Sequence, residues 1–170
     1  MGAQKLLLPV RGKPMIEHVL EAASAYETIV VASPGVADAI AERDRFTVVL
    51  NPEPQLGMAH SLALAHEAAP PDAPLLVCLG DKPFVTAELA GRIARAAASA
   101  AADVAYPERD GIGGHPVFFS TNARTKFGGT GESLRAVRDD PSLRRLPLPI
   151  KDEGAYRDID DPGAFATLVE

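Results

Sequence analysis

Short apolar runs alternate with longer alanine-rich segments as far as residue 102. Thr28–Ala32, Phe46–Leu50 and Leu75–Leu79 are continuous apolar stretches. Each is stopped by turn residues: Ser33-Pro34-Gly35, Asn51-Pro52 and Gly80-Asp81. Runs of this length with such ends suit strands covered on both faces. Between them the pattern predicts helices over Met15–Ala25 after Pro14, Val36–Arg43 after Ser33-Pro34, Gly57–Ala69 before Pro70-Pro71, and Thr86–Ala102. Proline suits a first helical turn, serine and threonine suit its cap, and Thr86-x-Glu88 adds a weak cap signal. A strand–helix rhythm of this kind predicts βαβ units, a parallel sheet and right-handed crossovers.

The rhythm changes after residue 103. Asp103–Pro107 and Val117–Ser120 read as strands flanking the glycine loop Asp110–His115. Thr121–Phe127 and Glu132–Arg138 read as short helices. Leu146–Ile150 reads as a strand pushed to an edge by its prolines, and Tyr156–Ile159 as a short strand. Asp161-Pro162 opens a terminal helix to Val169. No repeat or linker interrupts the pattern, so residues 1–170 read as a single domain. Its 170 residues suffice for a core without staples, since folds near 150 residues bury roughly two-thirds of their unfolded surface.

Charge narrows the function classes. The net charge is −6, and the basic residues are scattered, with no cluster longer than Arg144-Arg145. A nucleic-acid or anionic-membrane surface is therefore not expected, whereas a phosphate-bearing small ligand needs only one or two cations. The single cysteine, Cys78, lies in the run Leu75–Leu79 and reads as a buried core thiol; it leaves no internal disulfide and no zinc knuckle. No apolar run reaches membrane-spanning length, and Leu6-Leu7-Leu8 is stopped by Pro9 and Arg11, which is not a secretory leader. The expectation is a soluble, cytoplasmic protein.

In open α/β sheets, ligands sit beyond the carboxyl ends of strands. Asp81, in Leu79-Gly80-Asp81-Lys82-Pro83, is the carboxylate directly at such an end. It suits a Mg²⁺ ligand or a turn aspartate before the Thr86 helix. Asp158 and Asp160 alternate, so on an extended segment they would project the same way as a second metal site. Equally, Asp160 or Asp161 would cap a helix opening at Pro162. Gly57-Met58-Ala59-His60-Ser61 opens a helix whose free N–H groups could receive a phosphate, ribose or base edge. Gly128–Glu132 is a second glycine loop, and neither fits a dinucleotide fingerprint or a P-loop. His18, His60 and His66 read as helix-surface or core residues, and no Ser-His-Asp or zinc-type spacing emerges.

Taken together, the motifs resemble the nucleotidyltransferases of molybdenum-cofactor biosynthesis. The resemblance rests on Met1-Gly2-Ala3-Gln4-Lys5-Leu6-Leu7-Leu8-Pro9 with Gly12-Lys13-Pro14-Met15, Asn51-Pro52, Gly57-Met58 with Ser61-Leu62, Leu79–Pro83, Gly114-His115-Pro116-Val117, and Asp158–Pro162. It covers nearly the whole chain. The Gly57-Met58…Ser61 and Gly-His-Pro elements favour the cytidylyl branch, which serves molybdenum hydroxylases.

The resemblance implies a three-layer Rossmann-like α/β domain with a mixed, mainly parallel sheet, and transfer of CMP from CTP to the terminal phosphate of molybdopterin. It implies Mg²⁺ on Asp81 with Asp158 or Asp160, and Lys5 neutralising the phosphates. Asn51, Gly57, Met58 and Ser61 would line base and ribose, and Gly114, His115 and Pro116 would face the pterin. An apo-molybdoenzyme is the expected client. The guanylyl branch, a sugar-phosphate nucleotidyltransferase, and a non-catalytic protein that delivers the cofactor are the alternatives.

Two departures stand out. The family's Gly-Asp-x-Gly is Gly128-Gly129-Thr130-Gly131 here, without the carboxylate. The family also opens with an inner strand and an Ala-Ala-Gly-x-Ser-x-Arg loop ahead of Met-Gly-x-x-Lys, so its first strand is missing from this chain. Three readings follow: an assigned start at an internal Met, preferred for the native protein; a truncated, weak relative; or a partner or second copy that fills the gap by strand addition. Weak or no transferase activity is expected of these 170 residues alone.

Overall fold

A computed structural model describes residues 5–40, 46–127, 133–157 and 159. After a 3-10 turn at Lys5–Leu7, a small hairpin pairs β1 (Pro9–Val10) with β2 (Lys13–Pro14). Its turn residues Arg11 and Gly12 both have positive φ, 48° and 82°, as a primed hairpin turn requires. The chain continues through α1 (Met15–Ala22), β3 (Thr28–Ala32), α2 (Pro34–Ile40), β4 (Phe46–Leu50), α3 (Met58–Ala68) and β5 (Leu75–Val77). Then come α4 (Ala87–Ala100), β6 (Val104–Arg109), β7 (Ile112–Gly113), β8 (Val117–Phe119), α5 (Thr121–Arg124), α6 (Leu134–Asp139) and β9 (Arg145–Pro149).

The strands form the middle of three layers. On one face α4 packs Leu89, Ile93 and Ala97 against Leu76, Ala105 and Phe118. α1 and α2 cover Val30 and Ala32 with Ile16, Leu20, Val36 and Ile40. On the opposite face Leu62 of α3 joins Leu134 and Val137 of α6 against Val104, Tyr106, Val117 and Phe119. The mixed α/β architecture expected from the sequence is present. β6 pairs β8 and β7 antiparallel and β9 parallel, β8 pairs β5 antiparallel, and β3 pairs β4 parallel. β9 lies outside β6 with no further partner among the described strands, the edge place its prolines predicted.

The sheet is broken in two. β3–β4 is hydrogen-bonded as its own pair, and β5 belongs to the five-stranded sheet, with no described strand between β3 and β5. The break also shortens β5. The apolar run extends to Leu79, but β8 partners only Leu75–Val77, so Cys78 and Leu79 fall outside the ladder.

The cap expected at Thr86 is present, and serines not singled out in the sequence cap α5 and α6. Thr86 Oγ1 accepts the Leu89 N–H at 3.2 Å, and Ser120 and Ser133 Oγ accept from Ala123 and Ala136. Of the predicted strand at Tyr156–Ile159, the described residues Tyr156, Arg157 and Ile159 carry no strand, and a 3-10 turn at Glu153–Ala155 ends at Tyr156. Asp152 Oδ1 accepts the Gly154 N–H at 2.8 Å and starts this turn. The Gly128–Glu132 loop and the terminal helix lie outside the described residues. No helix among the described residues is long and apolar enough to cross a membrane.

Candidate active site

Two loops meet just past the end of β5. The Lys5–Leu7 turn brings the Lys5 ammonium to the Asp81 carboxylate, Nζ donating to Oδ2 at 3.4 Å, with the side chains 15% and 32% exposed. That is longer than a tight ammonium–carboxylate bond of about 2.8 Å. Gly80 lies beneath them, where a Cβ would meet Leu6 and Ile16 at 3.1 Å.

Beyond β4 the chain folds over the start of α3. Asn51 is 2% exposed, and its carboxamide is fully engaged. Oδ1 accepts the Glu53 N–H at 2.9 Å, and Nδ2 donates to Ser61 Oγ at 3.0 Å. Asn51 therefore ties the loop to α3, and Ser61 receives its position from Asn51. Gly57, with φ of 81°, occupies the left-handed region that favours glycine. It stands at the N-cap of α3 without a side-chain acceptor, which leaves first-turn N–H groups open to an anion or a base edge. Leu56 and Met58, 56% and 44% exposed, flank it.

Lys5, Asn51, Gly57, Met58, Ser61 and Asp81 all line one cavity of about 720 Å³. β3, residues 75–79 and side chains of α1, α3 and α4 complete its wall. Cys78 lies in that wall, and burial pushes its thiol up to about 12. It is no nucleophile at neutral pH.

Gly114, His115 and Pro116 do not line this cavity. They form a turn with a cis peptide before Pro116, docked on the segment after β9. The His115 N–H donates to Ala155 O at 2.8 Å, and a Cβ on Gly114 would meet that same oxygen at 2.7 Å. Close backbone approach accounts for this glycine. Asp158 and Asp160 lie outside the described residues. Among the described residues no group of three His, Cys, Asp or Glu side chains is placed to hold a metal. Asp81 presents a partly exposed carboxylate at the end of β5, beside Lys5. That fits a hard cation shared with a polyphosphate, which supplies the other oxygens, and does not fit an all-protein cage.

One residue of this region was missed from sequence. Lys82 is only 7% exposed, and its ammonium crosses to the Tyr156 carbonyl at 3.1 Å. It joins the Asp81 loop to the segment leading into Asp158. Gly154 seals the same junction, since a Cβ there would lie 2.2 Å from Phe84 O. Neither role has a local pattern; each depends on two loops distant in sequence meeting.

Solved structures share this fold. Rv0371c from Mycobacterium tuberculosis H37Rv superposes with a TM-score of 0.80 at 22% identity, covering 99% of this chain and 90% of that one. It has also been solved as a complex with manganese. Molybdopterin-guanine dinucleotide biosynthesis protein A from Archaeoglobus fulgidus superposes with a TM-score of 0.71 at 19% identity, covering 96% and 88% of the two chains. These likenesses establish the fold. In sequence, the bifunctional protein GlmU of Shouchella clausii is 30% identical over 98% of this chain and 36% of its own length. The chain spans about a third or less of the curated relatives it matches. The profile of the MobA-like NTP transferase domain matches residues 1–147, and with the strand-end aspartate, the lysine turn and the uncapped helix around one cavity, the chain belongs to that nucleotidyltransferase family.

Proposed function

We propose that this protein is a cytidylyltransferase that moves CMP from CTP to the terminal phosphate of molybdopterin, with release of pyrophosphate. The observation that carries the reading is the convergence of Lys5, Asp81, Asn51, Gly57, Met58 and Ser61 on one cavity. The acceptor phosphate attacks the α-phosphorus in line, so the protein's work is positioning and charge neutralisation. Lys5 leaves Asp81 and pairs with the triphosphate as charge develops on the leaving pyrophosphate. Asp81, with Asp158 or Asp160, would hold Mg²⁺, which would supply charge neutralisation for the polyphosphate. The open N–H groups at the start of α3 meet the base or ribose, and Asn51 fixes their distance from Asp81. Gly114, His115 and Pro116 face the pterin.

Guanylyl transfer is the second reading, favoured by the structural likeness to the Archaeoglobus fulgidus protein. Titration of CTP and GTP with and without Mg²⁺, followed by calorimetry, separates the two. The expected result is at least tenfold tighter CTP binding that requires Mg²⁺ and is lost in Asp81→Ala while the thermal midpoint is kept. Tighter GTP binding supports the second reading. Mg²⁺-independent binding that survives Asp81→Ala overturns both.

A further inference from the structure

A second cavity, of about 360 Å³, lies apart from the first and shares no wall residue with it. It opens between the β1–β2 hairpin, α1 and the start of α4, and Arg11, His18, Phe84, Thr86 and Ala87 are among the residues that line it. Its size is that of a site for a small molecule. Its rim is cationic. The Arg11 guanidinium lies 5.4 Å from the centre of the Phe84 ring, and that of Arg157 lies 4.9 Å from the same centre. Both arginines are exposed. Among the described residues neither guanidinium is ion-paired. Glu153, whose charge Arg157 feels, is bonded to Arg109. Glu21 also stands in the wall of the cavity, but its carboxylate is bonded to Lys13.

Like charges repel, so bringing two guanidiniums to one ring has a cost that the ring face offsets only in part. Arg11 carries a second cost. Its φ of 48° lies in the left-handed region, where Asn, Asp and Gly are the favoured turn residues. Arginine at this place is explained by what its side chain reaches and not by the turn. On the opposite wall α4, 14 residues long, is capped by Thr86. Thr86 Oγ1 accepts the Leu89 N–H at 3.2 Å, which leaves its O–H free to donate outward. The positive end of the helix borders the same cavity. His18 Nε2 donates to Val10 O at 2.7 Å, which fixes its ring in the wall. Two guanidiniums, a hydroxyl donor and a helix start around one small cavity share one complement, an oxyanion. The guanidinium fork matches phosphate in shape as well as charge.

We propose that this cavity binds a small phosphate-bearing molecule, its phosphate held by Arg11 and Arg157 beside Thr86. The phosphate would tie the β1–β2 hairpin to the segment after β9. Both border the loop that follows β5. Phe84 packs with Val10, Met15, Ile159 and Leu6, and Lys82 donates to the carbonyl of Tyr156, the neighbour of Arg157. The site therefore adjoins the Asp81 loop without sharing a wall residue with the cavity that holds Lys5 and Asp81. It uses cations to which nucleotidyl transfer assigns no part.

The test titrates the full chain with inorganic phosphate at constant ionic strength, read by calorimetry and by the nitrogen–proton spectra of amides and guanidiniums. The expected result is saturable 1:1 binding in the millimolar range, with shifts at Gly12, Phe84, Thr86 and Arg157. Arg11→Gln and Arg157→Gln should each weaken it about fivefold. Both arginines are exposed, so these variants should keep the thermal midpoint measured in chloride. Lys5→Ala, which removes the cation of the larger cavity, should leave the affinity unchanged. Glycerol phosphate then identifies the body of the ligand. Tighter binding than inorganic phosphate assigns the cavity to an organic phosphate, and weaker binding assigns it to the free ion. No saturable binding, unchanged affinity in the two glutamine variants, or loss of binding in Lys5→Ala overturns the proposal. No nucleotide or metal enters these measurements, so they stand or fall apart from the reading of CTP transfer.

Discussion

At the scale of single residues, the cavity divides into groups that meet a ligand and groups that hold them. Asp81 and Lys5 are partly exposed and bonded loosely to each other, so replacing either removes ligand contact and little packing. Asn51 is the reverse. Every polar atom of its carboxamide is turned toward protein, on Glu53 and Ser61, at 2% exposure. In Asn51→Ala the Glu53 N–H loses its acceptor and the Ser61 hydroxyl its donor, a cost of about 1 to 3 kcal/mol. The expected outcome is a lowered urea midpoint together with weaker nucleotide binding, whereas Asp81→Asn lowers binding alone. Paired denaturation and calorimetry on the two variants checks this. Weakened binding without lost stability in Asn51→Ala would assign its carboxamide a direct contact with the base.

At the scale of elements, α3 is held at its far end by one buried cation. Arg124, 2% exposed, donates to the carbonyls of His66, Ala69, Pro70 and Ala73 and, through Nε, to His66 Nδ1 at 3.1 Å. These include carbonyls that the end of a helix leaves without partners. Arg124→Met keeps much of the volume and strands the carbonyls, so unfolding should become easier by about 3 kcal/mol. Amide exchange should quicken first at the carboxyl end of α3. Unchanged exchange there would show that another group caps the helix. None of this is visible in the local sequence, where Thr121–Phe127 reads only as a short helix. The elements that were legible are those with a strong local cause: apolar runs between turn residues for β3, β4 and the start of β5, and the threonine cap at Thr86 for α4. The β1–β2 hairpin was not, because two-residue strands carry no periodicity and the turn needed Arg11 in a positive-φ conformation. Leu79 was read as strand because its side chain suits one, whereas a strand ends where its neighbour does. In the site, strand ends and a glycine-led helix pointed to Asp81 and Gly57. Lys82 depends on a contact between distant loops, and the inward turn of Asn51 on how its own loop folds back over α3.

At the scale of the whole molecule, the broken sheet predicts uneven stability. The five-stranded sheet has a polar lock of its own at Asp103. Oδ2 accepts from the Arg144 N–H and Nε at 3.0 and 3.1 Å, and Oδ1 from Ser120 Oγ at 3.0 Å and Asn122 Nδ2 at 3.4 Å. These bonds tie the starts of β6, β9 and α5. The Arg144 side chain, more than the other donors, holds the carboxyl down at about 2, below its ordinary 3.8. A carboxylate lowered on folding stabilises the fold above its ordinary value and ceases to do so as pH falls through the folded one. Roughly 2 kcal/mol should therefore be lost between about pH 4 and pH 2. Asp103→Asn should remove that part of the acid sensitivity while starting from a less stable protein. Among the described residues the β3–β4 pair shares no ladder with this sheet, and is expected to open as a separate unit. Amide exchange should thus show Asp103→Asn quickening exchange in β6, β8 and β9 and leaving β3 and β4 unmoved. Equal quickening in both would mean that helix packing alone makes the two sheets one cooperative unit, and that the gap between them costs little.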